Sequence, residues 1–246
     1  MKSIESTAVL TGSPRLIRLA GSAGERHLVC FPHAGGSPQA YRWCAAADHG
    51  GRTWAVSLPG RAGVSTADWL SLVARITDEM ANLSGSVTLM GHSLGALVAY
   101  EVARRLEDRG ADLRHLVVVS RGAPETGRVP RWPDDDDLLL EVVSEKYGGI
   151  PDELRAEPEL LRAMAGPLRV DLELVRSYAW KVGRPLKCPI TAVSGDRDAT
   201  TSAAELAAWR HHTLGDFHAV TIPGGHFFAE QERTALLDIV RRRATT

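Results

Sequence analysis

Residues Val87 to Ala96 read VTLMGHSLGA and carry the most informative pattern of the sequence. It begins as an apolar, β-branched run, breaks at a Gly-x-Ser-x-Gly turn and continues into an alanine-rich segment with helical spacing. Gly91 and Gly95 carry no side chains, so neighbouring segments can approach the turn and leave the hydroxyl of Ser93 exposed. Because a strand, a sharp strained turn and a helix are the setting of a nucleophilic serine, the stretch predicts a hydrolase or an acyl transferase.

Runs typical of strands and of helices alternate along the chain. Strands are predicted at 27–31, 54–58, 87–90, 115–120, 190–194 and 219–222, and helices at 41–47, 69–83, 94–109, 203–212 and 230–243. This alternation is typical of βαβ units. We therefore predict an α/β fold with a mostly parallel central sheet flanked by helices, formed as a single domain by residues 1–246.

Residues 130–180 interrupt the alternation. They contain little strand-like sequence, and their apolar residues recur at helical spacing. The acidic run from Asp134 to Asp137 favours a helix N-terminus that faces solvent. We predict a helical insertion that acts as a lid over an apolar substrate pocket, with additional scaffold as the alternative.

The composition excludes several classes of protein. A net charge of −1 over 246 residues argues against nucleic-acid binding, which requires a basic excess. Three scattered cysteines suit neither a disulfide framework nor a zinc site. The polar N-terminus lacks the apolar core of a signal peptide, and no stretch is long and apolar enough for a membrane span. We expect a soluble, cytoplasmic monomer without cofactor or metal.

A serine nucleophile needs a general base, and the histidine at position 226 fits best. Of the nine histidines, only His226 combines a preceding strand, a Gly-Gly turn and a C-terminal position. His218 lies at the start of that strand, at the wrong end of the sheet. His211 and His212 end a predicted helix, where a solvated or capping role is expected, and His92 is expected to pack beside the serine turn.

The acid that orients this base is expected after a late strand, since the order serine, acid, histidine is typical of α/β-hydrolases. Two aspartates follow the strand at 190–194. Asp196 begins the turn, where its side chain would bond local backbone amides. Asp198 lies further out, where it can reach the imidazole of His226. We predict Asp198 as the acid, with Asp196 as the alternative.

The developing oxyanion needs two backbone amides. One is predicted to be the amide of Leu94, which follows the nucleophile. The other is expected from the glycine-rich loop after the strand at 27–31. Within that loop we predict the amide of Ala34, with His33 as the alternative, although an ordinary glycine turn would have the same sequence.

Six motifs together resemble a known family. They are FPHAGG (31–36), LPGR (58–61), GHSLGA (91–96), CPI (188–190), GDRD (195–198) and PGGHFF (223–228). In this order they resemble the type II thioesterases of nonribosomal peptide and polyketide biosynthesis, over residues 28 to about 237. The insertion, with PELL (158–161) and LRVD (168–171), is similar to that family as well.

The resemblance implies an α/β-hydrolase core with a helical lid. It also implies hydrolysis of acyl thioesters from the phosphopantetheine arm of an acyl or peptidyl carrier protein, which removes aberrant or stalled acyl groups. Carried over by position, Ser93 is the nucleophile, Asp198 the acid and His226 the base. Arg128 and Arg131 are candidates for contacting an acidic carrier protein, and solvated surface arginines are the alternative.

Three alternatives stay open at this point. The chain is a carboxylesterase or lipase that acts on oxygen esters, a product-releasing thioesterase, or a silent hydrolase fold that binds carrier proteins. The length of the chain argues against the product-releasing type, whose domains usually end much larger chains. An intact set of Ser93, Asp198 and His226 argues against the silent fold.

Overall fold

A single sheet organises the chain. The computed structural model describes residues 14–21, 24–45, 50–58, 69–127, 131–148 and 156–244. The strands in these segments are β1 (Arg15–Gly21), β2 (Arg26–Phe31), β3 (Arg52–Ser57), β4 (Ser86–His92), β5 (Leu113–Val119), β6 (Ile190–Gly195) and β7 (Phe217–Ile222). They form one sheet in the order β1-β3-β2-β4-β5-β6-β7, in which β1 pairs antiparallel with β3 and the other pairs are parallel. The predicted fold class, an α/β-hydrolase fold with a mostly parallel sheet, is confirmed.

The helices lie between the strands. They are α1 (Arg42–Ala45), α2 (Trp69–Met80), α3 (Leu94–Asp108), α4 (Asp136–Tyr147), α5 (Pro158–Ser177), α6 (Ala203–Ala207) and α7 (Arg233–Ala244), with short 3₁₀ turns at Pro38–Tyr41, Ala208–His212 and Phe228–Glu230. None of the described helices is long and apolar enough to cross a membrane.

Two predicted helices are wrong in part. The helix predicted at 203–212 is α-helical only to Ala207 and then tightens into a 3₁₀ turn. Trp209 and His212 are both buried in that turn, and 3₁₀ winding brings residues three apart onto one face. The helix predicted at 230–243 begins only at Arg233, because the preceding 3₁₀ turn seats Phe228 in the core.

Strand β1 was missed in the sequence. Its burial alternates irregularly, and most of its residues are exposed or half-buried. An edge strand that is covered on little of its surface lacks the apolar run by which buried strands are recognised. Its antiparallel pairing with β3 closes one edge of an otherwise parallel sheet.

The core consists of two apolar layers, one on each face of the sheet. Along β2, Val29 and Phe31 belong to the layer that contains α2 and α3, whereas Leu28 and Cys30 belong to the layer that contains α7. This alternation is that of a strand covered on both faces. The parallel strands therefore end together at one buried edge of the sheet.

Helices α4 and α5 form an insertion between β5 and β6. They bury an apolar cluster of their own, which includes Leu139, Val143 and Leu168. Further along α5, Leu174 and Val175 join the main core. The acidic run caps α4 as predicted, since Asp135 accepts from the amide of Leu138 at 2.8 Å.

The same acidic run also ties the two inserted helices together. Asp137 forms a bidentate pair with Arg162, with both N–O distances 3.0 Å, and Asp136 pairs with Arg169 at 2.6 Å. These carboxylates are exposed, so each pair contributes little by itself. The run therefore faces solvent, as predicted, and in addition fixes α5 against the start of α4.

The serine turn depends on two glycines. A Cβ on Gly91 would collide with the carbonyl of Gly95, and a Cβ on Gly95 would collide with the carbonyl oxygens of Phe31 and Pro32. Because both obstacles are backbone atoms, no rotamer change can relieve the collision. The turn therefore packs directly against the end of β2.

We predict that Gly95→Ala destabilises the protein by about 2–3 kcal/mol, because a buried backbone must move to admit the methyl group. Gly166→Ala is the matched control, since no atom lies within 4 Å of a Cβ built there. In the middle of α5 this control should gain up to about 1 kcal/mol from helix propensity. Urea unfolding measures both, and equal effects of the two substitutions would contradict the packing described for the turn.

Candidate active site

Three of the residues predicted as functional follow the carboxyl ends of parallel strands. Ser93 follows β4, Asp198 lies beyond β6, and His226 lies in the loop after β7. Parallel strands place these ends at one edge of the sheet, where ligands of α/β folds bind. The three residues are accordingly brought together there, and Ser93 and His226 line the same pocket.

Ser93 has a backbone conformation that few side chains adopt. Its φ is 54° and its ψ is −112°, which is a strained combination for a residue other than glycine. Its amide donates to the carbonyl of Val119 at 2.8 Å, and its carbonyl accepts from the amide of Ala96 at 3.1 Å. These bonds hold the turn so that the half-buried side chain points into the pocket.

The ring of His226 is oriented by a carboxylate. Its Nδ1 lies 3.0 Å from Asp198 Oδ2 and 2.9 Å from Thr200 Oγ1. Two oxygens on this side favour a proton on Nδ1, which leaves the Nε2 lone pair directed away from Asp198. The imidazole is therefore set to accept a proton at Nε2.

The carboxylate of Asp198 stays ionised although it is buried. Burial acts to raise its pKa, but hydrogen bonds with His226 and Thr200 outweigh that effect and hold the pKa below its ordinary value. Thr200 supplies two of these bonds to Asp198 Oδ1, from its hydroxyl at 2.6 Å and from its amide at 2.9 Å. Asp198 is thus a preorganised anion beside the ring.

The backbone of His226 is held as firmly as its side chain. Its carbonyl accepts from Ser120 Oγ at 2.8 Å and lies 2.9 Å from His92 Nε2. Burial lowers the pKa of His92 well below its ordinary value, and the nearby rings of His33 and His226 lower it further. A neutral His92 that donates from Nε2 fits this contact, and it packs beside the serine turn as predicted.

The contact between nucleophile and base is open in this structure. No hydrogen bond joins the side chains of Ser93 and His226 among the bonds found in the described residues. Such contacts are often long in ligand-free enzymes and tighten when substrate binds. The two side chains line the same pocket.

The structure also places the other aspartate and the other histidines that the sequence offered as candidates for the acid and the base. Asp196 is exposed and accepts from a backbone amide at 2.8 Å, but that amide belongs to Gly224 in the loop after β7 and is not local, contrary to the expectation. His218 lies at the start of β7. The expectation for His212 is wrong, because its ring is buried between Tyr100 and Glu125 rather than solvated, with its Nε2 2.7 Å from the Glu125 carboxylate.

The glycine-rich loop after β2 faces the serine turn. The amide of Leu94 begins α3 and so has no acceptor within the helix, and the amide of Ala34 has no acceptor among the backbone and side-chain bonds of the described residues. Ala34 and Ser93 both line the pocket. Gly35, with φ of 72°, donates its amide to Asp171 Oδ2 at 2.8 Å.

The pocket opens to solvent and is lined by residues of the insertion and of the strand ends. Its apolar lining comes mainly from the insertion, through Trp132, Val143, Leu168, Leu172 and Val175. Its polar lining comes from the strand ends and includes Ser93, Thr200 and His226. An acyl group and a reacting ester carbonyl suit such a combination.

The comparison with known proteins identifies the family. A family model described as "Thioesterase domain" matches residues 26–244. The chain belongs to the thioesterase family. This match confirms the family resemblance drawn from the six motifs and the predicted enzyme class, a serine hydrolase of the thioesterase type.

Known members of the family align over most of the chain. A "Probable cadicidin biosynthesis thioesterase" of Streptomyces griseus is 34% identical over 217 residues, which are 85% of this chain and 60% of that relative. Among solved structures, the type II thioesterase BorB from the borrelidin biosynthetic cluster is 30% identical with a TM-score of 0.82, over 94% of this chain and 97% of its own. The RedJ thioesterase from the prodiginine pathway of Streptomyces coelicolor is 32% identical with a TM-score of 0.79, over 90% and 87%.

Some residues of the site were not found in the sequence. Ser120 follows β5 at the same sheet edge as Ser93, and this position is the signal that could have indicated it. Thr200 is another: it lies two residues before Ser202, which caps α6, and its hydroxyl and amide donate to Asp198. Of the two arginines predicted to contact a carrier protein, Arg131 is exposed and Arg128 lies outside the described residues. Residues 59–61 of the LPGR motif lie outside them as well.

We predict that Thr200→Val costs about 1–3 kcal/mol of unfolding free energy at pH 7, because it removes a hydrogen bond to a charged group. The pKa of Asp198 is depressed in the folded protein, so its stabilisation is present above the unfolded value of about 3.9 and is lost as the pH falls through the folded pKa. The cost should therefore be smaller at about pH 3 than at pH 7 in urea titrations.

Thr126→Val is the control for this experiment. Its hydroxyl donates to the uncharged carbonyl of Ala123 at 2.8 Å, so its cost should not change with pH. A cost of Thr200→Val that is equal at both pH values would contradict the depressed pKa of Asp198.

Proposed function

We propose that this protein hydrolyses acyl thioesters from the phosphopantetheine arm of carrier proteins and so removes aberrant or stalled acyl groups. The observation that carries the proposal is the convergence of Ser93 with the paired Asp198 and His226 in one pocket beneath the insertion. The similarity to thioesterases from biosynthetic clusters supports the substrate class.

Acylation follows from the geometry. His226 Nε2 takes the proton of the Ser93 hydroxyl as the oxygen attacks the thioester carbonyl. The amides of Leu94 and Ala34 donate to the oxyanion of the tetrahedral intermediate. The carbon–sulfur bond then breaks, and the pantetheine sulfur leaves with the proton returned by His226. Asp198 stabilises the imidazolium formed between these proton transfers.

Deacylation repeats the same steps with water. His226 removes a proton from water as the water attacks the acyl-enzyme ester, and it returns that proton to Ser93 Oγ as the free acid forms. A thiolate is a better leaving group than the serine alkoxide, so we expect deacylation to be the slower half. The products are a carboxylic acid and a carrier with a free thiol.

The insertion is proposed to act as the lid. We infer that residues 1–246 form a single α/β-hydrolase domain and that the lid occupies residues 130–180 within it. Leu168 of α5 packs against the loop that holds Ala34, so movement of α5 would open the pocket beside the nucleophile. The exposed Arg131 near the pocket wall is a candidate contact for an acidic carrier. A cytoplasmic monomer stays a prediction.

We predict that Ser93→Ala lowers the hydrolysis of an acyl-pantetheine thioester by about 10⁴-fold or more, because it removes the nucleophile. The fold should remain intact by circular dichroism, and a fluorophosphonate probe should label the wild type but not the variant. Ser177→Ala, on the exposed end of α5, is the matched control. Near-normal hydrolysis by Ser93→Ala would overturn the proposal.

The oxygen-ester alternative is tested with the same enzyme. kcat/KM on the acyl-pantetheine thioester is compared with kcat/KM on the matching p-nitrophenyl ester. A preference for the thioester supports the proposal, whereas a clear preference for the oxygen ester favours a carboxylesterase or lipase. Failure of the wild type to react with the fluorophosphonate would instead favour a silent, carrier-binding fold.

Asp171 is proposed to position the oxyanion loop. Its carboxylate is buried on α5 and accepts from the amide of Gly35 at 2.8 Å, next to Ala34. The bond links the lid to the loop that carries one oxyanion donor. It therefore couples the seating of α5 to the aim of the Ala34 amide.

We expect Asp171→Leu, which cannot accept a hydrogen bond, to lower kcat about 10- to 100-fold with little change in KM, since the loss falls on the transition state. Asp171→Asn keeps an acceptor oxygen and should retain most of the activity. Affinity for a boronic acid that forms a tetrahedral adduct should fall in parallel with kcat/KM. Unchanged boronate affinity in Asp171→Leu would assign the residue a purely structural role.

A further inference from the structure

An arginine without a partner lines the pocket. Arg121 lies two residues beyond β5, beside Ser120, and shares the pocket with Ser93 and His226. Its Nε is buried and has no hydrogen-bond partner among the described residues, and no ion pair found there includes its guanidinium. Burial lowers the pKa of Arg121 below its ordinary value. Arg121 as a whole is half-buried, and a largely desolvated cation that no carboxylate contacts directly is costly, so its presence requires a reason.

The carboxylates near Arg121 are already engaged. Glu205, which also lines the pocket, accepts from the amide of Ser202 at 2.8 Å and from its hydroxyl at 2.7 Å in the cap of α6. Asp198 is bonded to His226 and Thr200. Neither lies within ion-pair distance of Arg121. The donors of the guanidinium are therefore available to a group that enters the pocket.

The surrounding chain holds Arg121 in place. Its carbonyl accepts from Trp209 Nε1 at 2.8 Å, which fixes the backbone. A Cβ on Gly127 would lie 2.5 Å from Arg121 Nη2, so the absence of a side chain at Gly127 makes room for the guanidinium. Arg121 is therefore held at its backbone by Trp209, and its guanidinium occupies the space left by Gly127.

A second cation is found in the same lining. Lys146 on α4 also contributes to the pocket, and its ammonium lies 5.6 Å from the ring centroids of Trp132 and Tyr147. The pocket thus presents two cations together with apolar walls. Glu205, which lines the same pocket, attracts Arg121 electrostatically but does not contact it, so a purely aliphatic acyl chain would leave both cations without direct contact to an anion among the described residues.

We propose that the acyl group preferred by this enzyme ends in a carboxylate, which Arg121 binds inside the pocket. The inference rests on the proposed thioesterase function and names its substrate class, short dicarboxylic acyl thioesters. A guanidinium matches a carboxylate with two parallel hydrogen bonds. The phosphate of the pantetheine arm lies at the far end of that arm from the reacting carbonyl, whereas Arg121 shares the pocket of Ser93.

Two series of pantetheine thioesters test the inference in the wild-type protein. Succinyl, glutaryl and adipoyl thioesters are compared with butyryl, pentanoyl and hexanoyl thioesters of the same lengths. We expect kcat/KM for the best dicarboxylic substrate to exceed that of its alkyl partner by about 10-fold or more, as a charged hydrogen bond would give. Pantetheine without phosphate excludes a contribution from the arm's own anion.

Variants assign the preference to Arg121. Arg121→Met should lower kcat/KM for the dicarboxylic substrate about 10- to 100-fold and change that for the alkyl partner less than about threefold. Arg121→Lys keeps the charge but cannot form two parallel hydrogen bonds to a carboxylate. Its kcat/KM for the dicarboxylic substrate should lie between those of the wild type and Arg121→Met. Arg184→Met, at a fully solvated arginine outside the pocket lining, controls for net charge and should match the wild type.

The outcomes separate this inference from the proposed function. Turnover of the alkyl series without a preference for the dicarboxylic one overturns the inference and leaves the thioesterase standing. A loss in Arg121→Met that is equal for both series also overturns it. Turnover of neither series by the wild type contradicts the inference and the proposed function together.

Discussion

The close approach of the serine turn to the end of β2 is the constraint on which the site depends. Gly95 lies against the carbonyls of Phe31 and Pro32, and this contact places the start of α3 beside the glycine-rich loop. The two proposed oxyanion donors, from Leu94 and Ala34, come from the two sides of that contact. A larger residue at position 95 would separate them, so one packing requirement sets both the nucleophile and its oxyanion site.

Asp198 and His226 are held in place by contacts between the loops that follow β6 and β7. The loop after β7 presses against the end of β6, since a Cβ on Gly195 would collide with the carbonyls of Gly224 and Gly225. His226 is then held at its ring by Asp198 and at its carbonyl by Ser120 and His92. Because these supports come from different strands, the alignment of the site is a property of the whole parallel sheet. The loop after β2 is in turn bonded to α5 of the insertion, since Asp171 accepts from the amide of Gly35, so the insertion and the loop are positioned together.

Much of this arrangement could be predicted from the sequence because it is encoded locally. The strand–turn–helix pattern around Ser93, the Gly-Gly turn before His226 and the loop after β2 each carry their own signal. What escaped prediction depends on contacts between distant segments. Strand β1 is recognised only by its pairing with β3. His212 is buried only because Tyr100 and Glu125 surround it, and Thr200 is identified only by its bonds to Asp198. Asp171 was quoted within a family motif, but its bond to Gly35 spans 136 residues.

The central claim is that Ser93 attacks a thioester carbonyl and carries the acyl group as an ester. Rapid quenching of the wild-type protein with an acyl-pantetheine thioester, followed by peptide mass spectrometry, tests it most directly. The account predicts that the peptide containing Ser93 gains the mass of the acyl group within the first turnover, at the rate at which pantetheine thiol is released. Release of the thiol without acylation of Ser93, or acylation of a different residue, would contradict it.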